Sequence, residues 1–192
     1  MTSPTGRYRV TAQVEKQPKN ASPKILGAAR AIALREGAGK ITIDAVARES
    51  GLSKGGVLYN FPTKKALLAG LLDEMLAEHR ERLASVPEGH SSRTLRGHLE
   101  TVLQAGSTDD DLSMAILAVS ASDPNLLDPL RRELSRDVER IRSDAQDDTA
   151  AMVLFLAIQG LRFQRLLRLA DGDADQQDAA IDRLWDMINE LE

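Results

Sequence analysis

The chain has 192 residues, of which 81 are apolar, 54 charged and only six aromatic, the profile of a soluble globular protein of one domain or two small ones. Leu and Ala together number 52 against 18 for Ile plus Val, so helix formers outweigh the β-branched and aromatic residues that build sheets, and a mostly β fold is excluded. The absence of cysteine removes disulfide frameworks, thiolate zinc sites, iron–sulfur clusters and cysteine nucleophiles. The longest apolar run, Ala150 to Ile158, is too short to span a bilayer, and the opening residues are polar and basic with no apolar h-region. A cytoplasmic protein with no membrane partner is expected.

Charge is segregated along the chain. Residues 1–65 carry 12 Lys and Arg against 4 Asp and Glu, and residues 66–192 carry 13 basic and 25 acidic groups. The first block attracts polyanions and the second repels them.

Residues 1–21 mix Pro, Thr, Gln and Asn with Arg7, Arg9, Lys16 and Lys19 and show no apolar period, so they read as a flexible basic arm. Whether that arm enters a minor groove or is only a tail stays open at this level. From Ser22 the period becomes helical: Ser22 and Pro23 are an N-cap and N1 pair, and Ile25, Ala28, Ala29, Ile32 and Ala33 recur until Gly37. Thr42 caps a short second helix ended by Gly51, a third starts after Ser53 and is closed by Pro62, and Leu67 to Leu76 mark a long amphipathic helix ending near Ser85 to Pro87. Further stripes follow at Leu95 to Leu103, Leu112 to Val119, Leu127 to Ile141 and Ile181 to Leu191, with breaks around Gly106 and Pro124. Ala150 to Leu169 is apolar on nearly every side through its first half, the pattern of a helix buried by neighbours all round. The expected fold is all-α.

The segment from Ile43 to Phe61 has helix-turn-helix spacing. About eight residues of helix reach Ser50, Gly51-Leu52-Ser53 turn the chain, and a second helix begins at Lys54. Gly51 accepts the positive φ of a tight turn, Ala47 is small where the helices cross, and Val46, Leu52 and Val57 pin the crossing. Capped by Ser53, the second helix presents its first amides and side chains to a phosphate or a base edge.

Residues Ser22 to Leu68, above all Thr42-Ile43-Asp44-Ala45-Val46-Ala47, Gly51-Leu52-Ser53-Lys54-Gly55 and Leu58-Tyr59-Asn60-Phe61-Pro62-Thr63-Lys64-Lys65-Ala66-Leu67-Leu68, resemble the TetR family of transcriptional regulators. The resemblance implies an N-terminal three-helix DNA-binding domain over 22–68 and a helical effector-binding and dimerisation domain over 69–192. It implies a homodimer on a palindromic operator of double-stranded DNA, released by a small-molecule effector, and no enzymatic activity. Carried over position by position, Thr42 contacts a phosphate, and Lys54, Leu58, Tyr59 and Lys64 form the usual contact set, with Ser53 a further donor to the backbone. Two positions depart from the family pattern. Gly55-Gly56 puts two glycines inside a short helix, at a cost of about 2 kcal/mol relative to alanines; the favoured reading is that Gly56 gives up a base contact for close backbone approach to DNA. Asn60 stands where His or Tyr is usual, and either reaches DNA or caps the helix end.

By the same resemblance the last two helices, roughly Thr149 to Leu169 and Gln176 to Leu191, pair with their copies in a four-helix bundle, which places two recognition helices about 34 Å apart or somewhat more. The effector pocket then lies among the helices of 66–170, with His98, Gln104, Met114, Phe155, Gln159, Arg162 and Phe163 as candidates for its wall. An activator, a regulator answering to a protein partner and a helical scaffold without DNA are the rival readings.

Catalytic and metal motifs are sparse. There is no HExxH, GxGxxG or GxxxxGK sequence, and His79, His90 and His98 are too widely spaced for an i, i+4 metal face, so no metal or cofactor is expected. Asp171, Asp173 and Asp175 begin like a calcium loop, but Gln176 stands where its glycine belongs. Asp109, Asp110, Asp111 and Asp175 are read instead as helix N-terminal charges.

Overall fold

The computed structural model describes residues 21–87, 92–169 and 174–191, the side chains of 107, 108 and 174 excepted. The basic arm before Ala21, His90, Asp171 and Asp173 lie outside the described residues. The described residues are helical and contain no strand. In chain order the helices are α1 (Ser22–Glu36), α2 (Ile43–Ser50), α3 (Lys54–Asn60), α4 (Lys64–Ser85), α5 (Arg93–Gln104), α6 (Ser107–Ser120), α7 (Asp128–Asp144), α8 (Asp148–Leu166) and α9 (Ala174–Asn189), with 3-10 turns at Ala38–Lys40 and Pro124–Leu127. No helix among them is long and apolar enough to cross a membrane.

Local chemistry sets most of the boundaries. Thr42 Oγ1 accepts from Ala45 N at 3.1 Å, Ser53 Oγ from Gly56 N at 3.1 Å and Thr63 Oγ1 from Ala66 N at 3.0 Å, so α2, α3 and α4 each begin on a hydroxyl that satisfies an otherwise orphaned amide. Gly51 closes α2 at φ 66° and ψ 20°, a left-handed conformation that glycine adopts without a Cβ clash. The start of α1 differs from the sequence reading. Ala21 is the capping residue and makes no side-chain cap, while Ser22 is already helical and its hydroxyl reaches Asn60 Oδ1 at 3.3 Å.

Two hydrophobic clusters result. In the first, Ile25, Ile32 and Ala29 of α1, Val46 of α2, Val57 of α3 and Leu67, Leu68 and Leu71 of α4 pack together with Leu112 and Ile116 of α6. Each fully buried aliphatic side chain of this kind contributes about 1.5–3 kcal/mol. The second cluster joins Leu95 and Leu99 of α5, Ile141 of α7, Leu154, Phe155 and Ile158 of α8 and Ile188 of α9. Helix α4 runs through the boundary between residues 68 and 69 without a break, and Gly70 lets it close on α1: a Cβ there would stand 2.7 Å from a Phe61 ring carbon and 3.2 Å from Leu26 Cδ2.

Helix α8 is not enclosed within a single chain. Ala151, Leu154, Phe155 and Ile158 are buried, but Val153 and Leu156 on its other side are 56% and 63% exposed, and Phe163 and Leu169 further on are exposed as well.

The two kinds of glycine have opposite consequences. Gly51→Ala forces a Cβ into left-handed backbone and is expected to lower stability by about 1 kcal/mol. Gly27→Ala, in mid-α1 with nothing within 4 Å of the added carbon, is expected to raise it by roughly 0.5–1 kcal/mol. Urea midpoints of the two variants moving in opposite directions from the parent check the assignment.

Candidate functional site

The exposed side of α3 is set by its period. At roughly 100° per residue, Lys54, Leu58, Gly55 and Tyr59 fall on one side of the helix and Gly56, Val57 and Asn60 on the other. Gly56 and Val57 are buried and Asn60 is half-buried, whereas Lys54, Gly55, Leu58 and Tyr59 are exposed, Tyr59 to 80%. An exposed Tyr on a short helix has an aromatic edge and a hydroxyl to offer a nucleic acid. Lys54 Nζ is paired with Asp44 Oδ1 at 2.9 Å; an ion pair this exposed is worth little and exchanges readily for a phosphate. Thr42, exposed, retains its hydroxyl proton while capping α2, and Lys64, half-buried, has no ion-pair partner among the described residues.

Two of the positions read from sequence turn inward. Gly56 N donates to Ser53 Oγ and Gly56 O accepts from Asn60 Nδ2 at 2.9 Å, so its closeness is to the protein interior. Asn60 is engaged on both sides of its amide group, by Gly56 O and by the Ser22 hydroxyl, and ties α3 to the start of α1. The second glycine of the pair is therefore explained by packing. The string Gly51-Leu52-Ser53-Lys54-Gly55 also fits the GxSxG pattern of hydrolase nucleophiles, but that chemistry needs a strand leading into the turn, and here a helix does and Ser53 is a cap.

A cavity of about 270 Å³ lies between α4, α5, α6, α7 and α8. His98, Gln159, Arg162 and Phe163 line it, as the sequence reading has it. Gln104, Met114 and Phe155 do not. Gln104 ends α5 with its side chain in solvent, Met114 is 40% exposed on α6, and Phe155 is a core residue whose ring meets that of His98 edge-on at 5.1 Å. Three buried polar atoms at this wall have no hydrogen-bond partner: Arg82 Nε, Glu133 Oε1 and Gln159 Nε2. Unpaired buried donors and acceptors are costly, so these three atoms are the polar groups of the wall still open to a hydrogen bond.

The family models agree with both halves of this architecture. The model for bacterial regulatory proteins of the tetR family matches residues 25–71, and that for the tetracyclin repressor-like C-terminal domain matches residues 92–189. The chain belongs to the TetR family of transcriptional regulators. These are DNA-binding proteins and not enzymes. Among solved structures, a transcriptional regulator from Rhodococcus sp. Rha1 superposes with a TM-score of 0.70 at 20% identity, over 90% of this chain and 96% of that one. The multidrug binding protein EbrR, complexed with ethidium, gives 0.62 at 22% identity over 86% and 98%. NalD, the secondary repressor of the MexAB-OprM multidrug efflux pump in Pseudomonas aeruginosa, gives 0.61 at 17% identity over 88% and 95%. At these identities the likeness is one of fold. No curated protein matches the chain in sequence.

For a TetR-family chain the surprise lies in the polar floor of the cavity. His79 Nε2 and His98 Nε2 both face Asp137 Oδ2, at 3.2 and 3.1 Å. Burial opposes ionisation of Asp137, yet its hydrogen bonds to the two imidazoles hold the carboxyl well below the usual carboxylate range. Burial pushes the His98 imidazole down against the pull of Asp137, and it lowers the Arg162 guanidinium likewise. Sequence reasoning missed His79, Arg82, Glu133 and Asp137. The signal available was an i, i+4 acidic pair, Glu133 and Asp137, on the shoulder of the apolar stripe Leu130, Leu134, Val138 and Ile141. At the DNA-facing end it missed Lys24, exposed, without an ion-pair partner among the described residues and two positions beyond Ser22.

Tyr59→Ala is expected to weaken DNA binding tenfold or more with thermal stability unchanged. Asn60→Ala removes two internal hydrogen bonds and is expected to cost about 1 kcal/mol of stability. Fluorescence anisotropy on duplex DNA together with thermal melts of both variants separates the contact residue from the structural one.

Proposed function

We propose that the chain is a homodimeric, cytoplasmic repressor that holds a palindromic operator through Thr42, Ser53, Lys54, Gly55, Leu58, Tyr59 and Lys64 of each subunit and leaves it when a small molecule fills the cavity. The observation that carries this reading is the guanidinium of Arg30. From α1, it hydrogen-bonds Glu74 at 2.9 Å and Glu78 at 2.8 Å on α4 and Asp109 at 3.4 Å on α6. Glu78 and Asp109 are also cavity wall. A molecule that draws either carboxylate toward itself changes the hold on α1, and α1 carries the packing surface of α2 and α3. Effector binding thereby selects between two settings of the DNA-binding unit, in proportion to its difference in affinity for them.

Dimerisation through α8 and α9 is supported by the uncovered apolar side of α8. Val153, Leu156 and Phe163 of α8 and Leu169 just beyond it are each more than half exposed, and exposed apolar side chains grouped in this way mark an interaction surface. A second copy of the same face covers it, and a two-fold pairing gives the operator its symmetry.

Selection from random duplexes by the purified protein at about 150 mM salt, where loose electrostatic binding is suppressed, is expected to return a palindrome. Failure to enrich any sequence overturns the operator reading. Leu156→Asp is expected to halve the solution mass measured by light scattering. Arg30→Ala, folded and dimeric, is expected to bind effector with little loss while releasing the operator at least tenfold less effectively.

A further inference from the structure

Three donors from three helices meet at the cavity wall: His79 Nε2 from α4, His98 Nε2 from α5 and Asp137 Oδ2 from α7. All three residues are buried, and the donor atoms lie within 4.8 Å of one another. The two imidazole nitrogens stand 3.2 and 3.1 Å from a single carboxylate oxygen. Ligand atoms bonded to one zinc ion at about 2.0–2.2 Å are roughly 3–3.5 Å apart, so the existing spacing needs little adjustment to close on an ion.

The far side of two of the three donors, His79 and Asp137, is fixed as well. Thr101 has one hydroxyl proton and gives it to Gly97 O at 2.7 Å, so its oxygen accepts from His79 Nδ1 at 3.2 Å. His79 is thereby held with its Nε2 edge toward the Asp137 carboxylate. Arg140 Nη1 occupies the other oxygen, Oδ1, at 3.0 Å, which leaves Oδ2 to the imidazoles. Imidazole oriented by a hydroxyl and carboxylate oriented by a guanidinium are the outer contacts that metal ligands ordinarily have.

We propose that His79, His98 and Asp137 bind a divalent first-row transition-metal ion, zinc(II) above all, with its remaining coordination position open to the cavity. Two imidazoles and one carboxylate suit zinc and its neighbours better than calcium or magnesium, which take oxygen ligands. The ion gives the cavity a Lewis-acidic point to which an oxygen or nitrogen donor of a ligand attaches; that last clause rests on the effector reading, whereas the metal site does not.

The test uses full-length protein stripped with a chelator, titrated with zinc(II) in a calorimeter and with cobalt(II) by visible absorption. One ion per chain is expected, with cobalt bands of low-symmetry, four- or five-coordinate character. His79→Gln and Asp137→Asn are each expected to abolish saturable binding. Thr101→Val, which keeps the shape and removes the hydroxyl that fixes His79, is expected to weaken it about 10–100-fold. Circular dichroism of each variant establishes that it is folded, and His98→Gln replaces any that is not. No saturable binding to the parent protein overturns the proposal and leaves a proton as the group shared by His79 and Asp137. Binding that survives in the folded variants overturns it too, by placing the ion elsewhere. Neither result bears on the operator selection, so the two readings fail separately.

Discussion

Burial of one side of α4 is the constraint on which the rest of the molecule depends. Leu67, Leu68, Leu71, Leu72 and Leu76 are almost wholly inaccessible and close the core beneath α1, α2 and α3. One turn further on, the same helix supplies His79 to the polar floor of the cavity, and Leu83 then packs against α5 so closely that a Cβ on Gly97 would meet its Cα at 3.3 Å. A helix committed at both ends in this way does not let the DNA-facing unit and the cavity move independently. The Arg30 contacts add direction to a coupling that apolar packing has already made.

Charge segregation in the sequence overstates what is available to a polyanion. Within the basic first block, Arg30 is spent on three carboxylates, Arg35 on Glu36 and Glu49, Lys54 on Asp44 and Lys65 on Asp123. Lys24, Lys40, Arg48 and Lys64 remain without an ion-pair partner among the described residues. Phosphate affinity depends on this smaller set and on the exposed pairs that exchange cheaply, Lys54 with Asp44 first among them.

What the sequence made readable was local. Thr42, Ser53 and Gly51 act within a few residues of themselves, through a hydroxyl and a backbone amide or through a missing Cβ, and their roles follow from spacing alone. The spacing reads Gly56 as facing DNA and leaves Asn60 between DNA and the helix end, because a helix of seven residues has too little apolar pattern to show which way it faces; only the packing of Val57 into the core decides that. Ser22 has the composition of a cap but finds a better partner 38 residues away. The cavity was harder still. His79 and His98 look unrelated along the chain, and Asp137 is further off again, yet the crossing of α4, α5 and α7 brings their polar ends together. The apolar stretch at Ala150 to Ile158 has the pattern of a helix enclosed all round, but the chain itself covers only the side that carries Ala151, Leu154, Phe155 and Ile158 and leaves Val153 and Leu156 exposed.

The length of α4 has a mechanical meaning. Its 22 residues make a rod of roughly 33 Å, with the cavity toward one end and α3 at the other. If the cavity end is held, a tilt of only about 5° swings the opposite end by roughly 3 Å, close to the axial rise of one base pair of duplex DNA. In a symmetric pair the displacement is applied twice, in opposite senses. On the dimer proposed above, a small tilt of α4 would then suffice to put both recognition helices out of step with the grooves.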